Sequence, residues 1–203
     1  MFYIAGFKNY GYNRNILQRS IFLPMTNFDF SILYWIQDHI VCDWLTPLMK
    51  GITVSGNGGI IWIILCVVLL CFKKTRRIGV AAAISLALVG ILNNEIIKPI
   101  VARPRPFLQQ EIELLIAAPG GFSFPSGHTA SSFATAFAVF LKDKKIGTAA
   151  MIWAALVGFS RLYFCVHFPS DVFVGMLEGL LVATVVTVAI DKLCQKFKKK
   201  PVQ

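Results

Sequence analysis

Five apolar runs, each near the ~20 residues that carry a helix across a ~30 Å hydrocarbon core, constrain this chain more than any other feature. They cover residues 51–72, 78–97, 126–141, 146–165 and 170–190, and the stretch 60–72 carries no charge at all. Across 203 residues the sequence is 56% hydrophobic and only 15% charged, with a mean hydropathy of +0.67. A soluble globule of this size needs more polar surface than that. The reading is an all-α, polytopic transmembrane helix bundle. With no internal repeat or low-complexity stretch, it forms a single domain over residues 1–203 whose core covers about 28–192.

Between the runs the charge alternates. Lys73 to Arg77, Lys142 to Lys145 and the tail from Lys192 to Lys200 hold twelve of the twenty Lys and Arg residues. Basic loops stay on the cytoplasmic side, so these three face inward. The loop from Lys98 to Pro125 and the turn at 167–170 then face outward. The net charge of +10 is spent on these loops instead of lining one helix face, which excludes a nucleic-acid partner. Residues 28–54 mix Phe28, Phe30, Leu33, Trp35 and Ile36 with Asp29, Asp38, His39 and Asp43. Such a segment suits an amphipathic helix lying in the membrane interface, with a sixth span as the alternative. Ser55-Gly56-Asn57-Gly58-Gly59 reads as a turn into the first span. Residues 1–20 lack the compact apolar core of a signal peptide, so a mature span is expected to direct insertion. The five cysteines have no metal-type spacing and read as small hydrophobes.

Three polar clusters stand against this apolar background. They are Lys98-(x6)-Arg105-Pro106, Pro125-Ser126-Gly127-His128 and Ser160-Arg161-(x5)-His167-(x3)-Asp171. Unpaired charge beside apolar spans is costly and marks function. The topology brings all three to the outer face, although Lys98 and Asp171 lie 73 residues apart. Lys98, Arg105 and Arg161 supply fixed positive charge, and guanidinium groups offer paired donors that match phosphoryl oxygens. Pro99, Pro104 and Pro106 are expected to stop a regular helix and let the segment curl, while Lys98 and Arg103 taken alone would simply snorkel to headgroups. Ser126 is a good helix cap, and Gly127 lets an anion approach the free amides of a helix start. His167 and Asp171 are four apart and share a face if the last helix begins that early. A carboxylate on one imidazole nitrogen leaves the other free to attack phosphorus or to bind a metal. Two His and one Asp among three cations make a poor site for a dication.

Together these residues resemble the signature of the type 2 phosphatidic acid phosphatase family. The resemblance covers Lys98 to Asp171 directly and, by its hydrophobic layout, about residues 28–192. It implies a multi-pass cell-membrane phosphatase with an extracytoplasmic active site, no cofactor and no metal. It also implies the roles. His167 is the nucleophile that forms a phosphohistidine, Asp171 orients it, and His128 protonates the leaving oxygen. Lys98, Arg105, Ser126, Gly127 and Arg161 hold the phosphoryl oxygens. A lipid phosphate is the expected substrate, with undecaprenyl diphosphate ahead of phosphatidylglycerol phosphate and phosphatidic acid. Some small bacillary members acting on undecaprenyl diphosphate carry Asp at the position of Gly127, which weakens that assignment.

A binding module without turnover, or a transporter, would use the same charges differently. Pure binding needs no His-Asp device, and transport spreads charge through the membrane depth instead of gathering it at one face. Glu178, about 10 Å deeper than Asp171 along the same helix, is read as a protonated or interhelically bonded Glu beside Gly175 and Gly179, with a proton path or a partner for a site cation as the alternative.

Overall fold

A computed structural model describes residues 23–198. The helices are α1 (Leu23–His39), α2 (Leu45–Ser55), α3 (Ile60–Cys71), α4 (Arg76–Ile91), α5 (Gly127–Lys142), α6 (Lys144–Tyr163) and α7 (Pro169–Lys198). Among the described residues all regular structure is helical. Residues 1–20, read above as lacking a signal peptide, and the last residues of the basic tail lie outside the described region.

By length and composition, Arg76–Leu108, Lys144–Tyr163 and Pro169–Lys196 each suffice to cross a membrane. The pair Leu45–Ser55 and Asn57–Cys71 makes a fourth if its two parts, bent by 52°, form one span. The bend lies in the expected Gly-rich turn, where Gly58 and Gly59 take φ values of 58° and 71° that glycine adopts without steric penalty. The expected third run is α5, a helix of 16 residues. It sits inside the bundle and packs against α4, α6 and α7.

Small residues allow that central position. A Cβ on Gly179 of α7 would lie 2.6 Å from the Ala130 carbonyl oxygen, and one on Gly175 would lie 2.7 Å from that of Ser126. The two backbones are therefore in direct contact, the expected role of small residues four apart. At the opposite end Asp143 caps α6 by accepting from the Ile146 amide at 3.0 Å, and Lys142 pairs with Asp191. Outward-facing Ile64, Val68, Leu88, Ile152, Leu181 and Val185 form an exposed apolar girdle.

The proline-rich segment behaves differently from its expectation. Helix α4 does not stop at Pro99 but continues through a π-helical turn, Leu92–Ile97, into a last turn, Lys98–Val101. Proline cannot donate to the carbonyl four residues back, and a wider turn upstream absorbs the mismatch. The chain leaves the helix only at Ala102, in the left-handed region at φ 47°. Helix α1 lies against α6 and α7, where Phe30 and Leu33 pack with Cys165 and Phe168. Its Phe28 and Trp35 remain exposed.

Candidate active site

Antiparallel helices bring the three clusters to one end of the bundle, opposite the basic loops. Lys98 belongs to the last turn of α4, Gly127 and His128 open α5, Arg161 closes α6, and Asp171 lies in the first turn of α7. Lys98, Arg105, Gly127, His128, Arg161 and His167 line one cavity of about 420 Å³. Ser126 and Asp171 stand behind that lining.

His167 lies in the loop before α7, which begins at Pro169, so its pairing with Asp171 is made across a helix start and not along a helical face. Its Nδ1 faces Asp171 Oδ2 at 3.5 Å. The same carboxylate oxygen accepts from the Phe168 amide at 2.9 Å and from Ser123 Oγ at 2.5 Å. An acid at the third helical residue reaching back to the amide just before the helix is one arm of a capping box. Proton-bearing Nδ1 toward Asp171 leaves His167 Nε2 with its lone pair, the tautomer a nucleophile needs. Complete burial pushes the imidazole well below its ordinary pKa, helped by Arg105, Arg161 and Lys98. That shift favours the neutral imidazole.

The three cations are held differently. Arg105 donates to the carbonyls of Val166 at 2.8 Å, Gly120 at 2.9 Å and Gly121 at 3.0 Å, with Nη1 3.2 Å from His167 Nε2. The loop that carries it is thus wrapped around its guanidinium. Arg161 donates from Nη1 to Thr53 Oγ1 at 2.5 Å, while its buried Nε has no partner among the described residues. Lys98 Nζ donates to Asn94 Oδ1 at 3.3 Å and lies 3.5 Å from where a Gly127 Cβ would sit. The first-turn amides of a helix have no partner within it, so the Gly127 end of α5 offers donors beside that ammonium.

Ser126 is the α5 cap. Its hydroxyl oxygen accepts from Thr129 Oγ1 at 2.9 Å and from the Thr129 amide at 3.5 Å, which turns it away from the cavity. His128 Nε2 lies 2.9 Å from Asn57 Oδ1 of the Gly-rich bend. Glu178 accepts from Asn93 Nδ2 at 2.9 Å, an interhelical bond, and Glu178 Oε1 and Asn93 Oδ1 are buried without partners among the described residues.

Arg103 is the main residue the sequence reading misplaced. It does not snorkel; it is 2% exposed and donates to Asp171 Oδ1 and to Asp29 Oδ2, each at 2.7 Å. Asp29 in turn accepts from the Ser170 amide at 3.0 Å. The Arg103-Pro104-Arg105-Pro106 doublet is a local string that could have marked a second structured arginine, whereas Asp29, Ser123 and Thr53 carry no comparable mark. Among the described residues no three His, Cys, Asp or Glu side chains converge as metal ligands.

The PAP2 superfamily model matches residues 78–194. An undecaprenyl-diphosphatase of Sulfolobus acidocaldarius is 37% identical over 137 residues, 66% of this chain and 66% of that protein. The undecaprenyl-diphosphatase BcrC of Bacillus subtilis is 32% identical over 138 residues, 68% of this chain and 71% of that protein. The matched stretch thus spans about two thirds of these relatives' length. A crystal structure of a transmembrane PAP2-type phosphatidylglycerolphosphate phosphatase from Bacillus subtilis superposes with a TM-score of 0.70 at 25% identity, covering 88% of this chain and 92% of that one.

Proposed function

This chain belongs to the PAP2 superfamily, and on that premise we propose that it works as a membrane hydrolase of lipid phosphates whose substrate is a polyprenyl diphosphate such as undecaprenyl diphosphate. One observation carries the reading. His167, backed by Asp171, opens onto a cavity lined by Lys98, Arg105 and Arg161. Two relatives named undecaprenyl-diphosphatases, at 37% and 32% identity, support the polyprenyl substrate despite Gly127.

His167 Nε2 attacks the terminal phosphorus, and the P–O bond to the lipid phosphate breaks. His128 gives its proton to that leaving oxygen. The transferred phosphoryl stays on His167 as a phosphohistidine, with its oxygens facing Lys98, Arg105, Arg161 and the Gly127 amide. Fixed cations already aimed at those oxygens stabilise the charge spread over them without reorganising. Water then attacks phosphorus, His128 takes a proton from it, the N–P bond breaks and inorganic phosphate leaves. Lipid diphosphate and water become lipid monophosphate and phosphate, with no metal in the cycle.

Ile63, Leu86 and Val89 line the same cavity and suit an apolar tail. An anchored tail raises the local concentration of the head group. The basic loops at the other end of the bundle support an extracytoplasmic site. Phosphatidylglycerol phosphate is the second reading, favoured by the superposition that covers 88% of this chain.

Phosphate release by the purified protein in detergent tests this. The efficiency kcat/KM for the best lipid phosphate is expected to exceed that for glucose 6-phosphate by at least ~100-fold, about 2.7 kcal/mol of transition-state binding. Activity should survive exhaustive EDTA treatment. Equal efficiency on the soluble sugar phosphate refutes the anchoring account, and absence of release from every lipid leaves a binding or transport protein.

A further inference from the structure

Asp29 belongs to α1, far outside the matched residues 78–194, yet it is buried against the catalytic end of the bundle. Its Oδ2 accepts from Arg103 Nη2 at 2.7 Å and from Ser170 Oγ at 2.5 Å. Its Oδ1 accepts from the Ser170 amide at 3.0 Å, so a side chain of α1 satisfies an orphan amide of the α7 start. Arg103 Nη1 meanwhile donates to Ser170 Oγ and to Asp171 Oδ1, both at 2.7 Å, and the guanidinium carbon lies 3.9 Å from the Phe168 ring centroid. Asp29, Arg103, Ser170 and Asp171 are each 8% exposed or less.

We propose that Asp29 and Arg103 are positioning residues for phosphoryl transfer: the fork of Arg103, clamped by Asp29, fixes the Asp171 carboxylate in the plane that orients His167. The proposal rests on the phosphohistidine reading and adds to it two residues and a helix. Two physical points carry it.

The first is geometric. Asp171 Oδ2 serves Ser123, Phe168 and His167, so the torsion of the carboxylate is set by what its other oxygen, Oδ1, binds. That partner is Arg103, and Arg103 is itself held from the far side by Asp29. Each member loses its place if the next is removed, as in any closed buried network.

The second is electrostatic. Two carboxylates around one guanidinium leave this cluster of three with a net charge of −1. As the bond from His167 Nε2 to phosphorus forms, the imidazole gains positive charge, and a fixed negative cluster at its Nδ1 side stabilises that change. Substituting Asp29 by a neutral residue makes the cluster neutral, removing the net negative charge that stabilises the developing imidazolium, and frees one side of the Arg103 fork.

The experiment compares wild type, Asp29→Asn, Arg103→Lys, Asp171→Asn and the Asp29→Asn/Asp171→Asn double variant, each purified in detergent and assayed for phosphate release from polyprenyl diphosphate and from phosphatidic acid. Asp29→Asn is expected to lower kcat by about 10- to 100-fold, the loss of one charge-assisted contact expressed in the transition state, with KM within about threefold. Arg103→Lys keeps the charge but has no fork to bridge two carboxylates, and should show the same split between kcat and KM. It keeps the test decisive should Asp29→Asn fail to accumulate. In the Asp171→Asn background, Asp29→Asn should cost less than about threefold more, because its route to His167 is already cut. A kcat for Asp29→Asn or Arg103→Lys within threefold of wild type overturns the proposal. So does a full, multiplicative loss in the Asp171→Asn background, the mark of a merely structural residue. A wild type that releases no phosphate from any lipid overturns the phosphatase reading itself, and a wild type that turns over while the variants match it overturns only the positioning role.

Discussion

Thr53→Val is the most instructive single change outside the three clusters. Thr53 lies on α2 and is 2% exposed, and its hydroxyl accepts the Arg161 Nη1 bond of 2.5 Å. Valine keeps the shape and removes the acceptor. A hydrogen bond to a charged group contributes about 1.5–3 kcal/mol, and full expression of that range in the transition state would be roughly 10- to 150-fold in kcat/KM. Arg161 lines the cavity, so solvent can satisfy part of what is lost. The lower part of the range, about 10- to 20-fold, is therefore expected. Because the guanidinium keeps its charge but loses its aim, vanadate inhibition should weaken in parallel with kcat/KM, since both need the equatorial oxygens to be held. Phosphate release from a detergent-solubilised lipid diphosphate, with vanadate titrations on the same preparation, measures both. A variant with kcat/KM within twofold of wild type and unchanged vanadate affinity would refute the claim that Thr53 aims Arg161.

Other consequences follow from packing and charge. Gly179→Ala places a Cβ 2.6 Å from the Ala130 carbonyl oxygen and 2.7 Å from the Ala134 amide nitrogen, both backbone atoms. Overpacking of this kind costs about 1–3 kcal/mol, so thermal unfolding in detergent should begin at a lower temperature, and an unchanged transition would contradict the α5–α7 contact. The depressed pKa of His167 has a definite sign. A buried neutral imidazole binds fewer protons than its unfolded counterpart, so its contribution to stability is complete above the ordinary histidine pKa and is lost as pH falls below it. His167→Gln should flatten the loss of thermal stability between pH 7 and pH 5, and a slope as steep as wild type would show that His167 is not buried neutral.

Much of the site was legible because its chemistry is written in local strings. Lys98 with Arg105, Ser126 with His128, and Arg161 with His167 and Asp171 each sit at a helix end, and alternation of apolar runs with basic loops was enough to bring those ends together. The boundaries of α5 and α6 followed for the same reason. Ser126 was less legible, because a serine before a helix is equally a cap and an anion ligand, and its hydroxyl is used as a cap toward Thr129. The length of α5 was ambiguous too, since a short apolar run enclosed by protein reads like one facing lipid. Arg103 and Asp29 escaped because their partnership, 74 residues apart, has no periodicity to announce it. An acid in a half-apolar helix looks like an interfacial residue until the arginine that neutralises it is placed. The path of α4 past Pro99 depended on a π-helical turn that no propensity encodes.

The central claim is that His167 carries the phosphoryl group during turnover. Rapid quench of the enzyme with a lipid diphosphate bearing a terminal ³²P label, followed by peptide mapping, tests it directly. The account predicts a base-stable, acid-labile label on the peptide containing His167, formed within one turnover, decaying on the next, and missing from His167→Ala. Turnover at the normal rate with the label on another residue, or with no labelled protein at any time during a burst, would contradict it.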